Sequence, residues 1–268
     1  MRVEPYLARI GLDPDRINKK GLSTVRRLQE AHLKTVPFET IRVAGEPSTE
    51  RHEPDVVDDD PTRYDEIVRR ERGGLCFELN GLFRWLLSAL GFDVTRVAGR
   101  VFSVDDGSIE PVGGHQTTVL HLDRTYLVEV GFGAELIRSP LPLDGTVREY
   151  PDGRWRAVST PRPDAEFMIE YADPGSDEWE DRLALHTKPR TREFFLAGHE
   201  YHQYAPEAPF NDDPVVTIAT DSGYKRLSTN SFAQISETEA SKRSISRDEW
   251  DAVLNDEFGI ELSGEPES

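Results

Sequence analysis

The chain has 268 residues, with 50 acidic against 32 basic side chains for a formal charge of −18, and a single cysteine. A surface of that sign repels phosphate, which argues against nucleic acid or an anionic membrane as partner. One cysteine forms no intramolecular disulfide, and no Cys/His cluster has zinc spacing, so a disulfide framework and a Cys-ligated structural metal are excluded.

The first ninety residues read mainly as helices. "LSTVRRLQEAHLKTVPFE" offers Ser23 as N-cap, places Val25, Leu28 and Ala31 at helical spacing, and stops before Pro37. After the polar connection "AGEPSTERHEPDVVDDD", Asp60 and Pro61 are the expected N-cap and first residue of a helix over "PTRYDEIVRRE", ended by Gly73 and Gly74. The next helix is expected from Leu75 to Leu90, with Cys76, Leu79, Phe83, Leu86, Leu87 and Leu90 on one face and Gly91 as its stop.

From Phe92 the pattern turns to β-branched and aromatic residues: "FDVTRVAGRVFSV", "HQTTVLHL" and "TYLVEVGF" read as strands, continuing less clearly through "REYPDGRWRAVS" and "AEFMIEY". After a polar stretch near Asp173 to Asp181, strands are expected in "PVVTIATDSGYKRLS" and "SFAQIS". A final helix is announced by the capping box from Ser246 to Glu249. The expected division is a helical bundle over 1–91, a β-barrel over 92–185 and a mixed α/β part over 186–268. No stretch of about 18 apolar residues is present for a membrane span, nor a shorter apolar one near the N-terminus for a signal peptide. A cytoplasmic protein, monomer or homo-oligomer, is the expectation. Acids spread over the whole length, with few lysines beside the arginines, suggest adaptation to a very salty interior.

Cys76 sits after two glycines at the head of a helix. A free cysteine there is either a small buried hydrophobe or a thiol that the helix N-terminus draws toward thiolate. A cysteine nucleophile needs a base within hydrogen-bond reach and a third group to orient that base. His115 opens a strand after Gly113 and Gly114, and Glu129 lies near the end of the next strand. A two-residue turn at Asp123 and Arg124 would put Glu129 opposite Thr118, so a pairing with His115 calls for a bulge or a turn centred on Leu122.

"RGGLCFELNGLF" resembles the active-site signature of the arylamine N-acetyltransferases, and "RIGL", "AHLKTVPFE", "GFDVTRVAGRV", "YLVEVGFG" and "PLPL" follow in that family's order. The likeness covers about the first 145 residues closely, and "YHQYAPEAPF" with the strands after it more faintly. It implies an α+β fold of helical bundle, β-barrel and α/β lid, related in its core to papain-like cysteine proteases. It implies Cys76 as acyl-accepting nucleophile, His115 as its proton partner and Glu129 as the orienting acid, where the family has aspartate. It also implies an arylamine acceptor and acetyl-CoA as cosubstrate, with no bound cofactor and no metal. Gly131 and Gly133 would let backbone approach the CoA, and Phe38 and Phe132 would wall an aryl site. Arg72 and Glu78 are expected to brace the glycine turn, and Thr40 stands where the family has asparagine. A thiol hydrolase or transglutaminase-like enzyme would use the same three groups; "AHLKTVPFE" favours the transferase.

Overall fold

A computed structural model describes residues 1–17, 20–47, 59–104, 107–133, 136–210, 213–236 and 239–262. Most of the polar connection expected before the second helix, residues 48–58, lies outside them. The N-terminal helices are α1 (Val3–Arg9), α2 (Leu22–Thr35), the short α3 (Ile41–Ala44), α4 (Asp60–Tyr64), which runs on as a π-helical turn over Asp65–Arg69, and α5 (Cys76–Ala89). Two expected starts shift: the cap of α2 moves back two residues, from Ser23 to Gly21, and that of α4 one, from Asp60 to Asp59, whose carboxylate accepts from Thr62 N at 2.9 Å.

Helix α5 is the centre of the N-terminal part. Leu75 is extended, Cys76 is the first helical residue, and Gly91 follows the helix at φ 80°. Every residue from Cys76 to Phe83 is buried, not merely one face, because α4 and two barrel strands pack on the flanks left open by α1. Phe77, Leu79 and Leu82 are fully enclosed there, each contributing about 1.5–3 kcal/mol of burial.

Eight strands form one antiparallel, nearly closed barrel-like sheet. They are β2 (Asp93–Val101), β3 (His115–His121), β4 (Thr125–Val128), β5 (Leu141–Pro142), β6 (Arg148–Tyr150), β7 (Gly153–Ser159), β8 (Phe167–Ala172) and β9 (Glu180–His186), in the order β5-β4-β3-β2-β9-β8-β7-β6. Val97, Val119, Leu127, Trp155, Ile169 and Leu183 fill its interior. β9 was not expected; its charged start hides it in a polar stretch, yet it joins β2 to β8.

Beyond β9 come α6 (Leu196–Tyr204), β10 (Val216–Ala219), β11 (Gly223–Ser228), β12 (Ser231–Ser236), β13 (Ala240–Ser244) and α7 (Arg247–Phe258). The expected capping box at α7 is present, with Glu249 accepting from Ser246 N at 2.9 Å. The second sheet is not purely C-terminal: β1 (Phe38–Glu39) pairs with β10 at its edge, giving the order β1-β10-β11-β12-β13. Buried Thr40 completes that splice, exchanging a 3.0 Å N–H bond to Val215 O for a 2.9 Å bond from Val215 N to its hydroxyl. The segment after α2, read as part of a helical bundle, therefore supplies a strand to the C-terminal sheet.

Candidate active site

The thiol of Cys76 is placed by the turn that leads into α5. Gly74 N donates to Pro37 O and Glu39 N to Gly74 O, laying the turn against β1. A Cβ at Gly73 would stand 2.3 Å from Pro37 O, so only glycine fits. Glu78 then closes the helix start, accepting from Leu75 N at 2.8 Å. Arg72 braces the turn differently from expectation. Its guanidinium reaches Glu39 at 2.7 Å instead of the glycine peptides, and Glu39 in turn accepts from Ile41 N at 2.9 Å.

His115 and Glu129 come from the β3–β4 hairpin. The strands pair Thr118 with Val128 and His121 with Thr125, and Leu122 N bonds to Arg124 O, so the loop is three residues long. That register faces Glu129 toward Thr117, one position from the arrangement of a two-residue turn, and no bulge is needed. Glu129 is then the diagonal neighbour of His115, a separation of about 7–8 Å between backbones that a long side chain spans. His115 Nε2 lies 2.9 Å from Glu129 Oε2. Since Glu129 holds Nε2, Nδ1 is the ring nitrogen left for the Cys76 thiol, whose proton affinity the ring lowers.

Asn80, which the sequence reading passed over, ties this arrangement together. One helical turn beyond Cys76, its amide donates to Glu129 Oε1 at 2.6 Å and to Gln116 O at 2.9 Å, while its carbonyl accepts from Val130 N at 3.0 Å. Gly131 N adds a 2.7 Å bond to the same carboxylate oxygen. The i, i+4 spacing of a polar residue from Cys76 was the available signal. Gln29 reaches in from α2, donating to the Glu129 backbone carbonyl at 3.0 Å.

These contacts set the proton affinities. Burial pushes the Cys76 thiol up, with the charge and hydrogen bond of His115 opposing it, and the net direction is up. Burial pushes His115 down, but Glu129 and Cys76 outweigh it and hold the imidazole well above its ordinary value of 6.5. Burial likewise raises Glu129, but the His115 charge and hydrogen bonds from His115, Thr117 and Asn80 bring it below the usual carboxylate range. Burial favours the shared proton on sulfur and the carboxylate favours it on the ring. We place it on the ring, because an imidazolium between thiolate and carboxylate has an opposite charge on each side.

A cavity of about 570 Å³ lies beside this group, lined in part by Phe38, Phe132, Gly133, Phe210, Glu110 and Thr217. Phe132 joins it to the Cys76–His115–Glu129 group, its ring centroid 5.8 Å from that of His115. The two expected glycines divide. Gly133, at φ 83°, lines the cavity against the Phe38 ring. Gly131 is packed on the helix instead, since a Cβ there would come within 2.6 Å of Cys76 Cα. The Thr217 hydroxyl is buried with no hydrogen-bond partner among the described residues. His121 lies at the surface, paired with Thr95 Oγ1 at 3.0 Å. Among the described residues no group of three or more His, Cys, Asp or Glu is arranged to hold a metal ion. No described helix is long and apolar enough to cross a membrane.

A family model described as N-acetyltransferase matches residues 21–266. An arylamine N-acetyltransferase of Mycolicibacterium smegmatis is 31% identical over 266 residues, 96% of this chain and 91% of that protein. The chain belongs to the arylamine N-acetyltransferase family. Its members include human arylamine N-acetyltransferase 1, 28% identical over 98% of this chain and 95% of the human protein. Among solved structures, an M. smegmatis member superposes with a TM-score of 0.84 at 28% identity, covering 98% of this chain and 93% of its own. A Bacillus cereus arylamine N-acetyltransferase, described as having a unique Cys-His-Glu catalytic triad, reaches a TM-score of 0.87 at 24% identity over 98% of this chain and 100% of its own. As a member of this family the chain is an acyltransferase.

Proposed function

We propose that this acyltransferase moves an acetyl group from acetyl-CoA to an arylamine through an acetyl-cysteine at Cys76. The observation that carries the reading is the position of His115, hydrogen-bonded to Glu129 at 2.9 Å and close enough to Cys76 that each shifts the other's proton affinity. In the first step the Cys76 thiolate attacks the thioester carbonyl, the carbon–sulfur bond to CoA breaks, and the departing thiolate takes the proton from His115. In the second the amine attacks the acetyl-cysteine, His115 accepts its proton, and the Cys76 thiolate is restored. The N–H groups of Cys76 and Phe77 lie in the first turn of α5, where a helix offers no acceptor of its own, and they stabilise the tetrahedral oxyanion at about 3 kcal/mol per donor.

Glu129 serves as the third member of the triad, keeping the imidazole oriented and favouring its charged form. The Cys-His-Glu triad described for the B. cereus relative supports that assignment. Phe38 and Phe132 offer aromatic walls to the acceptor, and Gly133 gives the backbone side of the cavity. Arg226, exposed where it lines the same cavity, supplies a cation for the phosphates of CoA in an otherwise acidic protein. Anilines suit this site better than alkylamines because their conjugate acids are weak and they arrive uncharged. The test is product analysis with acetyl-CoA and aniline. Acetanilide formed in step with CoA release supports transfer; CoA released at the same rate with acetate as the product identifies a hydrolase and overturns it.

A further inference from the structure

Glu110 is a carboxylate in the wall of an aromatic cavity, and among the described residues no arginine or lysine pairs with it. It lines the same cavity as Phe38, Phe132 and Phe210. Its side chain is 15% exposed and has one ion-pair geometry among the described residues, 3.6 Å from His202 Nε2. That imidazole does not neutralise it. Burial lowers the proton affinity of His202, and its Nε2 is committed to Gly114 O at 2.9 Å. Arg100, the nearby guanidinium, turns away: its Nε donates to the Glu110 backbone carbonyl and its other arm holds Asp164 at 2.6 Å. One Glu110 oxygen accepts from Val101 N at 3.3 Å, which fixes the carboxylate in place. It is close enough to the reacting sulfur that its charge opposes ionisation of Cys76.

Among the described residues three other charged side chains line the cavity. Arg182 is held by Glu180 at 2.8 Å and lies over the Tyr171 ring, while Glu207 and Arg226 are exposed and screened by water. Among the described lining residues Glu110 is thus the fixed, partly desolvated anion that an aromatic acceptor meets, the buried Arg182 being already paired with Glu180. Resting on the acetyl-transfer reading, we infer that Glu110 is a specificity-determining residue that selects acceptors by charge. It disfavours arylamines carrying an anionic substituent and favours those carrying a cation or a hydrogen-bond donor.

Three acceptors of one shape test this: 4-aminobenzoate, its methyl ester and 4-aminobenzamidine, which carry negative, zero and positive charge on the same ring. The wild-type enzyme is expected to acetylate 4-aminobenzoate with a lower kcat/KM than the ester, although the carboxylate leaves the amine the more nucleophilic. Glu110→Gln, which keeps an oxygen for Val101 N, is expected to raise the benzoate-to-ester ratio of kcat/KM by roughly tenfold and to lower the benzamidine-to-ester ratio by a similar factor. Any change in Cys76 reactivity is common to all three acceptors and cancels in the ratios. A wild-type preference for the benzoate, or ratios that Glu110→Gln leaves unchanged, would overturn the inference while leaving acetyl transfer intact. No turnover of any of the three acceptors, or of aniline, by the wild-type enzyme would overturn the transfer reading and this one with it.

Discussion

Glu129 meets His115 on the diagonal of a hairpin, two residues along the strand from the position directly opposite. An aspartate in its place is a methylene short of that span. Glu129→Asp is therefore expected to slow acetylation of Cys76 by about tenfold to hundredfold, as roughly 1 Å of misplacement does elsewhere. Single-turnover kinetics with acetyl-CoA reads it, and a rate within twofold of wild type would show that the extra methylene does not matter.

Asn80 satisfies one carboxylate oxygen, one carbonyl and one N–H at the seam between α5 and the barrel. Asn80→Ala removes a partner from each in a buried setting, leaving Glu129 Oε1 with Gly131 N alone, and is expected to cost on the order of 2–4 kcal/mol of stability. Acetylation should slow as well, because Glu129 loses a donor at 2.6 Å. Urea denaturation together with single-turnover rates checks both; an unchanged rate would confine Asn80 to a structural duty.

His32 is fully buried against Tyr6, whose hydroxyl lies 3.0 Å from its Nδ1, and burial lowers its pKa from 6.5 to about 3. Below pH 6.5 the unfolded chain takes up a proton that the folded chain refuses, so stability falls progressively as the pH drops toward about 3. Glu129, with its folded value depressed, loses its contribution in the same acid direction. His115, with its folded value raised, keeps its contribution below pH 6.5 and loses it only as the pH rises through the folded value. His32→Gln, which retains an acceptor for Tyr6, should flatten the acid limb of a stability profile measured by urea. An acid limb identical to wild type would remove His32 from that account.

With a formal charge of −18, self-repulsion destabilises the compact chain at low ionic strength. The melting midpoint is expected to rise between low and molar KCl as screening shortens the reach of that repulsion. A midpoint that stays level or falls would refute the salt reading.

The parts legible in the sequence were those with local causes. Pro37 and Gly91 bound the helices they were expected to bound, the α7 capping box closes as Ser246 and Glu249 imply, and the residues around Cys76 carry the family likeness. The parts that escaped depend on distant partners. β9 reads as polar because Glu180, Asp181 and Arg182 open it, and only pairing with β2 and β8 makes it a strand. β1 is two residues long and becomes a strand through Val216 and Thr217, far along the chain. Helix α6 is rich in histidine and tyrosine, which are weak helix formers, and follows a 3₁₀ turn at Arg192–Phe195. Its Gly198 packs where a Cβ would come within 1.9 Å of Gly113 O, a contact no local pattern announces. In the candidate site, Cys76, His115 and Glu129 stood out in the sequence by type and position, and the structure brings them together. The hairpin register, the role of Asn80 and the packing duty of Gly131 did not stand out, since each is a relation between α5 and the barrel.

Intact-mass measurement after mixing the folded protein with acetyl-CoA bears most directly on Cys76 as the acyl carrier. The account predicts one added acetyl group, mapped by peptide analysis to Cys76, absent in Cys76→Ser and discharged by aniline. A folded wild-type protein that gains no acetyl group, or gains it elsewhere, would contradict it.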